Sequence, residues 1–260
     1  MDLHLTGRRA LITGGSKGIG FAIAEELAGE GADVAICARN QREVDAAAER
    51  LRGSGRIVHA QVADVTDPAQ VSDLVARSAE ALGGLDILVN NAGAAHPGSF
   101  ASLTDQDWQS DLDIKLFSQI RCTRAALEHL RRSRAARVIN INSVYARYPD
   151  PTFFATTVNR AACLNFTKAL ARELGPEAIL VNSVNIGFVT TPQWQAIKAR
   201  RAPDASDDEF FSALVSDEVP LGRFGNAGEV SGLVAFLASD RASYLTGTSI
   251  DVAGGMGKYV

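Results

Sequence analysis

The chain has 260 residues, 46% of them hydrophobic and 22% charged, which suits one α/β domain with a sizeable core. A net charge of −4 offers no basic surface for nucleic acid. No run of the sequence approaches the ~18 apolar residues of a membrane span, so the expected partner is a small-molecule substrate, with no nucleic acid and no membrane.

The N-terminal MDLHLTGRR lacks the apolar stretch of a signal peptide, which predicts a cytoplasmic address. Apolar runs then alternate with longer helical patterns. RRALIT precedes GFAIAEELAGEG, DVAICA precedes REVDAAAERLR, and IVHAQV precedes PAQVSDLVARSAEALG. LDILVN precedes a long helix starting near Asp105, and RVININ precedes a helix from Phe154 to Leu174. ILVNSV, an irregular segment, EVSGLVAFLAS and TSIDVAG complete the chain. Alternation of this kind, with nearly continuous apolar strands, predicts a doubly wound parallel sheet of about seven strands with helices on both faces. Ligands of such sheets bind beyond the carboxyl ends of the strands, so chemistry is expected just after each apolar run. No Pro/Gly/Ser-rich linker divides the chain, and residues 1–260 are read as a single domain. Cys37, Cys122 and Cys163 lie far apart inside apolar runs, which predicts buried thiols and no metal site.

The first strand leads through TGGSKGIG directly into a helix. Gly14, Gly18 and Gly20, with Ser16, Lys17 and Ile19 between them, give a tight turn whose backbone approaches a pyrophosphate at the helix N-terminus. At the end of the second strand, ICARN carries no acid to bond the ribose hydroxyl of NAD. Arg39 and Lys17 are the expected partners of a 2′-phosphate, so NADP(H) is predicted over NAD(H).

With these motifs the sequence resembles the short-chain dehydrogenase/reductase family over essentially its whole length. TGGSKGIG is similar to the family's glycine motif, Asp64 and Val65 in ADVTD to its adenine-contacting segment, and Asn91, Ala92 and Gly93 belong to its NNAG signature. Ser143 in ININSVYA matches the serine that polarises the substrate carbonyl, and Thr190 in IGFVTTP the residue that meets the nicotinamide amide. The resemblance implies a Rossmann-type fold, hydride transfer between nicotinamide and a carbonyl or alcohol carbon, a substrate lid over residues 190–219, and a homotetramer or homodimer. Trp194, Phe210 and Phe211 stand in that lid at helical spacings; they either receive a partly apolar ligand or pack on the domain.

The family's acid/base tyrosine, its lysine four residues later, and its asparagine on the middle helix align with Thr156, Arg160 and Lys115. Thr156 and Arg160 point from one helix face to one place, so the geometry of the missing pair is kept. An aliphatic alcohol is a far weaker acid than a phenol of pKa ~10, and arginine binds ribose hydroxyls without releasing a proton. Lys115 lies on an apolar stripe with Leu112 and Trp108. It is therefore either desolvated with a lowered pKa, or it reaches water or pairs with an acid such as Asp111. His96, after the fourth strand, and Tyr145 and Tyr148, after the fifth, are further candidate acids beside packing roles. Three readings stay open: an NADP(H)-dependent reductase of ketones, 3-oxoacyl-reductase-like, with an atypical proton donor; a non-catalytic dinucleotide-binding homologue; and a non-redox dehydratase or isomerase.

Overall fold

The structure is a computed structural model that describes residues 2–257. All seven apolar runs form strands: β1 (Arg9–Thr13), β2 (Asp33–Ala38), β3 (Val58–Val62), β4 (Ile87–Asn90), β5 (Arg137–Ser143), β6 (Leu180–Ile186) and β7 (Ser249–Val252). They make one parallel sheet in the order β3-β2-β1-β4-β5-β6-β7. The order reverses between β1 and β4, and at that switch a crevice opens beyond the strand ends Thr13 and Asn90.

Helices cover both faces, as the strand composition requires. Ile23, Leu27 and Ala24 of α1 (Gly18–Gly29) and Val230, Val234 and Leu237 of α9 (Ala227–Ala238) pack on one face with Ile12, Ile36 and Val89. Leu74 and Val75 of α3 (Pro68–Leu82), Cys122 and Ala126 of α5 (Ser118–Arg131) and Leu174 of α6 (Phe154–Leu174) pack on the other with Leu11, Leu88 and Val138. On the same face as α1 and α9, α2 (Gln41–Arg52) starts at the Asn40 side chain, which accepts from the Glu43 amide. Among the described residues, no helix is long and apolar enough to cross a membrane.

The sheet interior also carries polar side chains, several of them joined in a ladder. Asn90 Nδ2 donates to Asn140 Oδ1 at 2.9 Å and to Thr123 Oγ1 at 3.2 Å, while Asn140 Nδ2 donates to Thr167 Oγ1 at 2.9 Å. This line of bonds ties α5, β4, β5 and α6 together under the crevice, where an unpaired amide would cost about 1–3 kcal/mol.

Two elements differ from the sequence reading. The long helix near Asp105 is three pieces: α4 (Asp105–Leu112), one π-helical turn (Asp113–Phe117) and α5. The widened turn carries Lys115, and such bulges concentrate at functional sites. The irregular segment after β6 contains two helices, α7 (Pro192–Arg201) and α8 (Asp207–Val215), the second started by a capping box between Ser206 and Glu209.

Candidate active site

The crevice at the switch point is a cleft of about 500 Å³. Its outer half is lined by the glycine turn, Gly14, Ser16, Lys17, Gly18, Ile19 and Gly20, and by Arg39, Asp64 and Val65. Gly18 has φ +57°, a left-handed conformation that the turn into α1 requires. A Cβ on Gly20 would collide with the Gly14 carbonyl and the Asn91 side chain, so only glycine lets the helix start this close to the turn. No side chain caps α1 at Lys17, which leaves its first-turn amides directed at the cleft.

Asn91 braces this turn by donating from Nδ2 to the carbonyls of Thr13, at 2.9 Å, and Gly14, at 3.1 Å. Thr13 Oγ1 in return accepts the amides of Asn91 and Ala92, both at 3.0 Å. The NNAG segment thus fixes the glycine turn from below. The Asp64 carboxylate accepts from the Thr66 amide at 2.9 Å and the Thr66 hydroxyl at 2.8 Å, a local turn that holds it at the cleft rim.

At the base of the same cleft lie Ser143, Tyr145, Thr156, Arg160 and Lys115. Ser143 Oγ accepts the Tyr145 amide at 3.2 Å, so its proton is free to be donated to a ligand. Lys115 is 1% exposed and pairs with Asp111, itself 0% exposed. Burial, then the positive charge of Arg160, lowers the Lys115 ammonium to about 8, against the pull of Asp111 in the other direction. Both sequence alternatives for Lys115 therefore meet in one residue: it is desolvated and it is paired with Asp111.

Asp111 collects further donors. Thr156 Oγ1 donates to Asp111 Oδ1 at 3.2 Å, and Asn159 Nδ2 donates to Oδ2 at 2.8 Å. The Thr156 hydroxyl is thereby committed to the carboxylate, so the residue aligned with the family's tyrosine has its one proton engaged. Arg160 Nη1 donates to the Ile141 carbonyl at 2.9 Å, and its guanidinium lies against Gly93, where a Cβ would come within 3.1 Å of Nη2. Burial pushes the Arg160 pKa down, with Cys163 and Asp111 opposing.

Other expectations need correction as well. His96 lies outside the cleft lining, its Nε2 3.2 Å from Asp107 Oδ1 on α4, because the loop after β4 turns it toward that helix. Thr190 is exposed and its amide is spent on the Gly225 carbonyl at 2.9 Å; Val189 and Thr191 line the cleft in its place. Tyr145 does line the cleft, but its ring stacks on Phe153 at 5.6 Å, and burial, followed by the charge and hydrogen bond of Asp150, pushes its phenol well above the usual range. Such a phenol keeps its proton, so Tyr145 is a wall rather than an acid. Tyr148 lines a smaller adjoining cavity with Pro149 and Asp150. In the 190–219 segment, Trp194 borders the cleft and meets Phe188 edge-on at 5.2 Å, whereas Phe211 packs on Phe224 at 4.7 Å behind it. Lys17, expected to face a phosphate, is paired with Glu43 at 2.6 Å.

With this geometry in view, a family model described as enoyl-(acyl carrier protein) reductase matches residues 14–257. The 3-oxoacyl-(acyl-carrier-protein) reductase FabG of Escherichia coli (strain K12) is 35% identical over 254 residues, which cover 98% of this chain and 99% of that protein. The chain belongs to the short-chain dehydrogenase/reductase family. Among solved members, a short chain oxidoreductase from Pseudomonas aeruginosa PAO1 containing an atypical catalytic center is 37% identical, with a TM-score of 0.93 over 98% of this chain and 99% of that one. The same oxidoreductase in its NADPH-bound form gives a TM-score of 0.91. L-Sorbose reductase from Gluconobacter frateurii, complexed with NADPH and L-sorbose, is 32% identical and superimposes over 100% of both chains with a TM-score of 0.96.

Within this short-chain dehydrogenase/reductase scaffold, sequence reasoning missed Asn142, Asn159 and Glu43. Asn142 lines the cleft, donates to the Arg160 carbonyl at 3.1 Å and keeps its Oδ1 without a partner among the described residues. The available signal was the placing of amides inside the apolar strand RVININS, since buried amides require designed partners.

Proposed function

We propose that the chain is an NADP(H)-dependent oxidoreductase that interconverts a ketone and a secondary alcohol, 3-oxoacyl-reductase-like, with Lys115 as the proton donor. The observation that carries this reading is the charge balance at the base of the cleft. Two cations, buried Lys115 and half-buried Arg160, face one buried carboxylate, Asp111, near Ser143. A largely buried centre of net charge +1 is complementary to a carbonyl oxygen that becomes an alkoxide.

The lining residues fit the cofactor. Asn142 Oδ1 and Arg160 Nε are both buried, both at the cleft and both without partners among the described residues. One lacks a donor and the other an acceptor, and a ribose hydroxyl supplies each. The glycine turn and uncapped start of α1 receive the pyrophosphate. Asp64 and Val65 would hold the adenine end, and Asn91, Ala92 and Gly93 also line the cleft that would receive the cofactor. Arg39, exposed at the rim and in no ion pair among the described residues, takes the 2′-phosphate, with Lys17 held back by Glu43. The NADPH-bound relatives support the same choice.

When bound, NADPH supplies a hydride to the carbonyl carbon. Ser143 donates a hydrogen bond to the carbonyl oxygen and fixes its direction. Lys115 gives that oxygen a proton and becomes a neutral amine, and Arg160 remains charged throughout. Exposed Phe117 and Val158, beside the middle helix and on α6, offer an apolar contact for the expected homo-oligomer.

Ser143→Ala tests the assignment. Loss of one donor to a developing oxyanion lowers kcat about 10²-fold; undiminished reduction of a ketone by the variant would refute the role of Ser143.

A further inference from the structure

The centre contains one group that no motif announced as functional. Asp111 is fully buried, and its two oxygens accept from three side chains on two elements: Lys115 from the π-helical turn, and Thr156 and Asn159 from α6. A buried carboxylate is retained only where its desolvation, several kcal/mol, is offset by a cation and by good hydrogen bonds. Here the cation and one of the donors belong to the cleft itself, while Asn159 holds the second oxygen from the side away from Lys115.

We propose that Asp111 is the positioning residue of the centre: its carboxylate anchors the Lys115 ammonium at the cleft base and takes up the Thr156 hydroxyl, so that the proton completing a reduction leaves from Lys115 and not from position 156. Only the final proton step rests on the reductase reading. The charged and titratable groups facing Lys115 are Asp111 on α4, and Arg160 and Cys163 on α6. Asp111 alone among them favours the ammonium strongly at neutral pH, since Arg160 opposes it and burial pushes the Cys163 thiol up.

The proton balance follows. An N–H bond of the Lys115 ammonium breaks as an O–H bond forms on the alkoxide, and Asp111 stays ionised. The buried charge thereby falls from +1 to zero, as Arg160 and Asp111 balance one another. Without Asp111 the starting charge would be +2, and Lys115 would lose its proton before a substrate arrived.

The test reads Lys115 directly. Protein labelled with [ε-13C]lysine is titrated by NMR, the Lys115 resonance being assigned with Lys115→Met, in wild type and in Asp111→Asn. Asp111→Ser, which is smaller and admits water, replaces Asp111→Asn if that variant does not fold. A downward shift of the Lys115 midpoint by at least one pH unit is expected. A midpoint that stays or rises, even with lowered thermal stability, would make Asp111 a mere clasp between α4 and α6 and overturn the proposal. Because the readout needs no turnover, a shifted midpoint in a protein that reduces no ketone would sustain the role of Asp111 and sink the reductase reading alone.

Discussion

Replacing Lys115 with methionine is expected to lower kcat/KM for ketone reduction by about 10²–10⁴-fold, the usual contribution of a positioned general acid. The remaining activity should lose its alkaline limb. In the wild type the Lys115 ammonium sits at about 8, lowered first by burial and next by Arg160. The sign is fixed by the direction of the reaction. Reduction needs the protonated amine, so kcat/KM falls as pH rises through about 8, whereas oxidation of the alcohol needs the neutral amine and rises across the same range. The single change also removes the one cation hydrogen-bonded to the buried Asp111 carboxylate, at a cost of up to about 3–5 kcal/mol. Lys115→Met combined with Asp111→Leu removes both charges, which separates loss of the acid from loss of the fold. A double variant that is stable yet retains full activity and its alkaline limb would exclude Lys115 as the donor.

Arg39→Ala should weaken NADPH binding by about 10- to 100-fold, since a hydrogen bond to a charged group is worth about 1.5–3 kcal/mol. NADH, which has no 2′-phosphate, should bind the variant as it binds the wild type. The physical reason lies in the pairing at the rim. Lys17 is engaged by Glu43 at 2.6 Å, and Ser16 approaches the same carboxylate at 3.5 Å. Arg39 is the exposed cation at this rim with no carboxylate partner among the described residues. Fluorescence titration of both dinucleotides checks the point, and equal losses for the two would remove Arg39 from 2′-phosphate recognition.

How much of this was legible in the sequence differs by residue. The strands were, because a sheet buried on both faces needs continuous apolar runs such as DVAICA and LDILVN. Ser143, Lys115, Thr156 and Arg160 were legible as co-located, because strand ends and helix register place them mechanically. Orientation was not. The π-helical turn falls in DIKLF, which has no glycine or proline to announce it, and is set by packing against α6. Thr156 lines the cleft but spends its hydroxyl proton on Asp111, because a buried carboxylate competes for every donor in reach. His96 was read as a candidate acid beside a packing role and Lys17 as a phosphate partner on the strength of their loops, but Asp107 and Glu43, distant in any local reading, pair with them. Sequence spacing locates Cα positions at strand ends; the partner that satisfies a charge is a tertiary fact.

The role of Lys115 as proton donor is tested by NADPH consumption with a panel of ketones and β-keto thioesters across about pH 6–10, comparing the wild type with Thr156→Tyr plus Arg160→Lys. Turnover by the wild type with an alkaline limb near 8, the range in which Lys115 titrates, is expected. Turnover by the tyrosine–lysine variant alone would contradict it, and would mean that the cleft holds the dinucleotide in hydride-transfer geometry without an acid of its own.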